Sequence, residues 1–169
     1  NAINAWKITK GSKNVKIAVI DTGIDYNHVD LKSNMWTNQA EANGRPGVDD
    51  DGNGYIDDYN AWNFSANNNN PRPGSNSHGT HVAGTVSAEN NGIGIVGAAF
   101  NAQIMPVKIL PGTDAGGSYF NLALGIYYAV DNGAHVINMS LGGGYEPPQI
   151  IRDAIKYAND NGVICVMAA

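Results

Sequence analysis

"VKIAVIDTGID", residues 15–25, decides how this 169-residue chain folds. Residues 15–21 form a short apolar run broken only by Lys16 and Asp21, and Thr22-Gly23 closes it with a turn. A run of that length is a strand buried on both faces, the kind found in parallel sheets. Downstream the pattern alternates. "THVAGTVSAE" (80–89) has helical period, and "AQIMPVKIL" (102–110) is a strand in which Pro106 marks an irregularity or an edge. "SYFNLALGIYYAVDNG" (118–133) is a helix with Leu122, Ile126 and Val130 on one face and Gly133 as its C-terminal stop. "HVINMSLGG" (135–143) is a second buried strand. "PPQIIRDAIKYANDNG" (147–162) is a helix that starts after proline, shares a face among Ile151, Ile155 and Ala158, and ends at Gly162. "VICVMAA" (163–169) is a further strand. Strand-helix alternation predicts an α/β fold: a doubly wound, mostly parallel sheet with helices on both faces. The polar stretch 65–77 is a surface loop rather than a domain linker, so residues 1–169 read as part of one domain.

Composition narrows the functional classes. The chain is 43% hydrophobic and 15% charged, with net charge −5, so it can build a core. It has no basic run or basic helix, which argues against nucleic acid and anionic membrane as partners. No apolar run approaches the ~20 residues that span a bilayer. No signal peptide is visible, which reads as a mature or trimmed start. The single cysteine, Cys165, lies in an apolar run and is expected to be a buried, inert thiol. One cysteine excludes an internal disulfide without fixing the compartment.

In open parallel sheets, sites gather at the carboxyl ends of the strands. Asp21 ends the first strand, where a carboxylate can orient an imidazole and stabilise its protonated form. His78, in "NSHGTHVAGT" (76–85), opens a helix just after a Gly/Ser/Asn loop, and its ring can face the same crevice. His81 lies about one turn further along. Histidines at i and i+3 can share a zinc ion, but "HGTH" lacks the glutamate of a zinc-protease helix and no third ligand is evident, so zinc is set aside.

Three motifs in order, "AVIDTGID", "HGTHVAGT" and "VINMSLGG", resemble the subtilisin family of serine proteases, and the likeness extends through "NNGIGIVGAA" and "VKIL" over nearly the whole chain. The resemblance implies a subtilisin-like fold and a serine endopeptidase acting on peptide or protein substrates. It implies that Asp21 and His78 are the catalytic aspartate and histidine, with His81 structural. Ser140, Leu141, Gly142 and Gly143 match the segment lining the pocket for the side chain before the cleaved bond. Gly116, Gly117 and Ser118 match the segment that pairs with the substrate backbone, an interaction that accepts many sequences. Tyr119 is expected to be a pocket lid further along the substrate. The family's Gly-Thr-Ser nucleophile motif and its oxyanion asparagine are not among these residues. Ser77, Ser87, Ser118 and Ser140 do not sit in a nucleophile-like context. The chain taken alone is therefore expected to be inactive.

"DDDGNGYIDD" (49–58) carries the second chemistry. Counted from Asp49, oxygen ligands fall at the positions of a calcium loop: Asp49, Asp51, Asn53, the Tyr55 carbonyl and Asp57, with Gly54 at the tight turn. Position 12 is Asn60 instead of glutamate, so Asp58 is expected to contribute. Five acidic side chains in ten residues repel one another without a cation. A second calcium site is implied by the resemblance alone: Asp30 with the Glu89 carbonyl, the Asn91 side chain and the carbonyls of Ile93 and Ile95. Calcium-dependent loops suit a secreted protein.

The last apolar run stops at Ala169 without a turn or polar close, which reads as a chain cut inside a larger domain. On that reading, the partner is the remainder of the domain or a second copy, and an exposed sheet edge should drive dimerisation or aggregation. The competing function is a non-catalytic module that binds peptide or calcium without cutting.

Overall fold

The structure, a computed structural model, describes residues 2–112, 116–143 and 146–168. Ala169, where the apolar run was seen to stop, lies outside the described residues. In chain order the elements are α1 (Ala2–Ala5), β1 (Lys16–Asp21), α2 (Gln39–Ala42), α3 (His78–Ser87), β2 (Gln103–Lys108), α4 (Tyr119–Asp131), β3 (Val136–Met139), α5 (Gln149–Asp160) and β4 (Ile164–Met167).

The strands form one four-stranded sheet in the order β2-β1-β3-β4. All three pairings are parallel. Alternate side chains of β1 feed two separate cores, as a strand's period of two requires. Ile17 and Val19 join Ile24, Leu31 and Ile104 beneath α3, where Ala83 packs. Ala18 and Ile20 join Met105, Val107, Ile137 and Met139 beneath α4 and α5. Helices therefore cover both faces, and the fold is the doubly wound α/β architecture. From β1 the chain moves to β2 on one side, then crosses back to β3 on the other. The carboxyl ends of β1 and β3 thus flank the point where winding reverses, which is where such sheets leave a crevice.

Local chemistry explains the element boundaries. Pro106 sits on β2, the sheet's outer strand. On that outer side the Trp36 N–H donates to Ile104 O, and Lys108 pairs with Trp62 and Phe64. Residues 104 and 108 thus turn their peptides outward. Pro106, midway between them, lacks an N–H only where no strand needs one. Both long helices end in the same reciprocal pair of bonds. In α4 these are Ala134 N–H to Ala129 O and Gly133 N–H to Val130 O; in α5 they are Val163 to Ala158 and Gly162 to Asn159. Gly133 and Gly162 take φ of +75° and +76°, the left-handed stop that glycine permits.

Two expectations are corrected. Strand β3 covers only residues 136–139, because 140–143 leave the sheet to line the crevice. Among the described residues β4 pairs with β3 alone, and Ile164, Val166 and Met167 are exposed at 62%, 48% and 54%. Cys165 is half-buried rather than buried. It packs against the larger core, and that burial raises its thiol above the ordinary range.

Candidate active site

Strand β1 delivers Asp21 to its carboxyl end with only 1% of the residue exposed. A buried carboxylate needs partners, and three bonds supply them. The Thr22 N–H donates to Oδ1 at 2.6 Å, and His78 Nδ1 lies 2.9 Å from Oδ1 and 3.0 Å from Oδ2. The His78 side chain remains 47% exposed, so the pair has one buried and one open end.

Helix α3 starts at His78 because the Asn76 side chain accepts its N–H at 2.9 Å, replacing a helical partner. The Gly79 N–H then donates to Thr22 Oγ1 at 3.0 Å and ties the helix to the strand end. That approach requires glycine. A Cβ at residue 79 would lie 2.5 Å from Gly23 O and 3.0 Å from Asp21 Cβ. The helix start and the strand end are thus in backbone contact, and this contact sets the carboxylate–imidazole distance. With Nδ1–H donating to the carboxylate, neutral His78 keeps Nε2 as an acceptor.

His78 opens on a cleft of about 640 Å³. Gly116, Gly117 and Ser118 form one side, Ser140, Leu141, Gly142 and Gly143 another, and Leu110, Met139 and Ile155 contribute apolar surface. The structure thereby brings all seven residues singled out for substrate binding around one hollow with His78. The serines in or near the cleft have their own bonds: the Ser118 hydroxyl caps α4 by accepting from Phe120, and Ser140 Oγ accepts from Asn138. Ser87 is fully buried and donates to carbonyls of Ala99 and Ala102. His81 lines a different cavity with Asp25, His28 and Asp30, so the two imidazoles of "HGTH" serve separate places.

The acidic loop arranges itself differently from the counted scheme. Among the described residues, one group of carboxylates converges within ion-binding distance: Glu41, Asp51 and Asp58, with oxygens within 4.8 Å of one another. Asp49 instead folds its carboxylate onto the Gly54, Gly52 and Asn53 N–H groups, which holds its pKa below the ordinary value, the Gly54 bond most of all. Asp57 accepts from Tyr59 and from the Gly47 N–H. Asn53 joins through its amide to Asp51 and Asp58, and the Tyr55 ring packs on Trp62, Phe64 and Tyr128. Gly54 takes φ +90°, the tight turn the spacing predicted. Asp58 is fully buried, and burial drives its carboxyl upward against hydrogen bonds from Tyr128, Asn38 and Asn53. Three acidic groups this close, two of them buried, fit a divalent cation with oxygen ligands.

Asp30 gives a second fit. It is 5% exposed; Oδ2 accepts from the Ile95 N–H at 3.0 Å, while Oδ1 is buried without a hydrogen-bond partner. The loop carrying Glu89, Asn91, Ile93 and Ile95 wraps this carboxylate: the Glu89 N–H donates to Asp30 O, and Asn91 spans to Val29 O and the Ile93 N–H. A buried carboxylate oxygen left unpaired is costly, and a cation bound there would remove that cost.

Sequence reasoning missed four contributors. Glu41 and Asn38 lie outside the acidic motif, and Tyr128 lies 70 residues beyond Asp58, to which its hydroxyl donates. Lys108, 4% exposed, donates its ammonium to Thr22 O. Its signal was visible: a lysine inside the apolar run "IMPVKIL" is a buried charge in search of a partner.

Comparison with known proteins finds relatives that are named as proteases. The model of the subtilase family matches residues 12–169. The chain is 39% identical over 166 residues to the major intracellular serine protease of Bacillus subtilis (strain 168), covering 97% of this chain and 45% of that protein. It is 40% identical over 157 residues to subtilisin-like protease 1 of Plasmodium falciparum (isolate 3D7), covering 91% and 22%. It is 39% identical over 166 residues to the thermophilic serine proteinase of Bacillus sp. (strain AK1), covering 98% and 35%. The chain therefore spans less than half the length of these relatives. The structure of the prenylagaramide maturation protease PagA superposes with a TM-score of 0.69 at 21% identity over 99% of this chain and 50% of that one, a likeness of fold.

Proposed function

Because this chain belongs to the subtilase family, we propose that it supplies the aspartate and histidine of a serine endopeptidase whose nucleophile and oxyanion donor come from outside these 169 residues. The observation that carries the reading is the bond between His78 Nδ1 and the buried Asp21 carboxylate. With Nδ1 held, Nε2 takes the proton of an attacking serine hydroxyl and returns it to the leaving amine. Asp21 fixes the tautomer and stabilises the imidazolium that forms between the two transfers. The substrate lies extended along Gly116, Gly117 and Ser118, with a side chain in the hollow beside Ser140, Leu141, Gly142 and Gly143. Selectivity then comes from the hollow and affinity from the backbone. Nucleic acid and membrane have no place in this scheme. No helix among the described residues is long and apolar enough to cross a membrane.

The test is hydrolysis of a fluorogenic peptide panel by the full-length protein. His78→Ala should cost on the order of 10⁴-fold or more in kcat, the scale seen when a triad member is removed. A serine-directed phosphonylating reagent should label a residue outside 1–169. Activity that survives His78→Ala would end this reading.

Calcium is the ion that Glu41, Asp51 and Asp58, and separately Asp30, would hold. When bound it would neutralise the crowded carboxylates and fix the two loops, binding only the folded state. A secreted location follows from that requirement as a proposal, since weak extracellular calcium sites need a calcium-rich medium. One relative is named an intracellular protease, so compartment does not follow from kinship. Fractionation of the producing cells decides it.

A further inference from the structure

Lys108 is the charged residue of β2, and its side chain is almost wholly buried. Among the described residues it forms no ion pair; its ammonium donates to the backbone carbonyl of Thr22. Thr22 is itself 3% exposed, and every polar group it owns is committed to the site. Its carbonyl takes Lys108, its N–H gives to Asp21 Oδ1 at 2.6 Å, and its hydroxyl takes the Gly79 N–H at 3.0 Å. The second approach to His78 passes the same ammonium. A Cβ on Gly112 would lie 3.0 Å from Lys108 Nζ, and Gly112 O receives the Asn76 N–H that leads into α3.

A buried ammonium is expensive without a compensating charge. Burial lowers the affinity of Lys108 for its proton, and the Asp21 charge opposes that loss. Two successive peptides join at Thr22: the carbonyl of the Thr22–Gly23 peptide faces the cation, and the N–H of the Asp21–Thr22 peptide faces the carboxylate. The Lys108 and Asp21 charges also act on one another directly.

We infer that Lys108 is a positioning residue of the Asp21–His78 pair: its buried charge holds the Thr22 backbone against Asp21 and acts electrostatically on the pair. The inference rests on the relay reading for its catalytic meaning, though not for its titration behaviour. The other charged groups near the ring do not do this work. Asp21 on β1 touches the imidazole directly. His81 on α3 and Asp25 in the loop after β1 face the separate cavity. Arg72 lies over the Tyr26 ring, 4.7 Å from its centroid.

The experiment is an NMR titration of the His78 ring in the full chain, with Lys108→Met and Lys108→Arg. Lys108→Met should let His78 bind its proton about twofold or more tightly, because a repelling charge is gone. Lys108→Arg keeps the charge and should titrate like the wild type. A brace with no electrostatic role predicts lost stability in Lys108→Met with the His78 titration unmoved, and that result overturns the inference. Should neither variant fold, the wild type decides. As Lys108 Nζ loses its proton, below the ordinary lysine range, the Thr22 amide and the His78 ring should shift with the same midpoint; no shift at that midpoint overturns the inference. These readouts need no peptide hydrolysis, so their failure leaves the relay reading standing.

Discussion

Gly79→Ala tests the claim that backbone contact sets the carboxylate–imidazole distance. The control is Gly84→Ala on the same helix. At residue 84 an added Cβ meets Ile95 Cδ1 at 3.5 Å, ordinary contact. The substitution there should stabilise the chain by about 0.5–1 kcal/mol, the helix preference of alanine over glycine. At residue 79 the same Cβ would lie 2.5 Å from Gly23 O, 3.0 Å from Asp21 Cβ and 3.1 Å from Asp21 Oδ1. Two of these atoms belong to the fully buried strand end, which has little room to retreat. Overpacking of this kind costs about 1–3 kcal/mol, more than the helix preference returns. The net effect at 79 is a loss of about 1 kcal/mol, or ~2–4 °C in melting temperature for a chain of this size. Urea unfolding by far-UV circular dichroism reads both variants, with the slope m unchanged and the midpoint moving in opposite directions. In the full-length protein, displacement of His78 should also lower kcat/KM by about 10²-fold. If Gly79→Ala matches Gly84→Ala in midpoint, the strand–helix contact does not set the site.

Three further outcomes follow. A chelator should lower the melting temperature and added calcium restore it; at calcium 100-fold above Kd the stabilisation is about 2.7 kcal/mol, and Glu41→Gln should remove a measurable part of it by calorimetry. Lys108 has a folded-state pKa depressed mainly by burial, so the unfolded chain binds more protons there. Stability from this residue therefore rises as pH climbs from that depressed value to the ordinary lysine range, and Lys108→Met should flatten that rise in alkaline urea titrations. Among the described residues β4 is an edge strand with one neighbour, and its Ile164, Val166 and Met167 are exposed. The 169-residue chain should therefore self-associate in sedimentation, and Val166→Lys should reduce it; a monodisperse monomer at high concentration counts against this.

The first strand, the two main helices and their glycine stops were legible because burial on a sheet and amphipathic helix period are local patterns. Helix α3 and its opening histidine could be read for the same reason, since Asn76 and Ser77 mark its start within the motif. The acidic loop was legible only as composition. Spacing placed Asp49 at the head of an ion loop, but that carboxylate closes the turn itself, and Glu41 takes its place in the cluster. Nothing in a ten-residue window reports a glutamate brought in from a neighbouring helix.

Sequence by itself determined the α/β alternation, the subtilase kinship of residues 12–169 and the choice of Asp21 and His78 as the proposed relay pair. All three are written in strings of adjacent residues. The tertiary structure decided the 2.9 Å contact between residues 57 apart, the buried ammonium behind Thr22 and the unpaired oxygen of Asp30. Each depends on how separate strands and loops converge at the carboxyl edge of the sheet. A charge or a carboxylate acquires its role from what burial leaves it to bond with, and only the folded chain sets that.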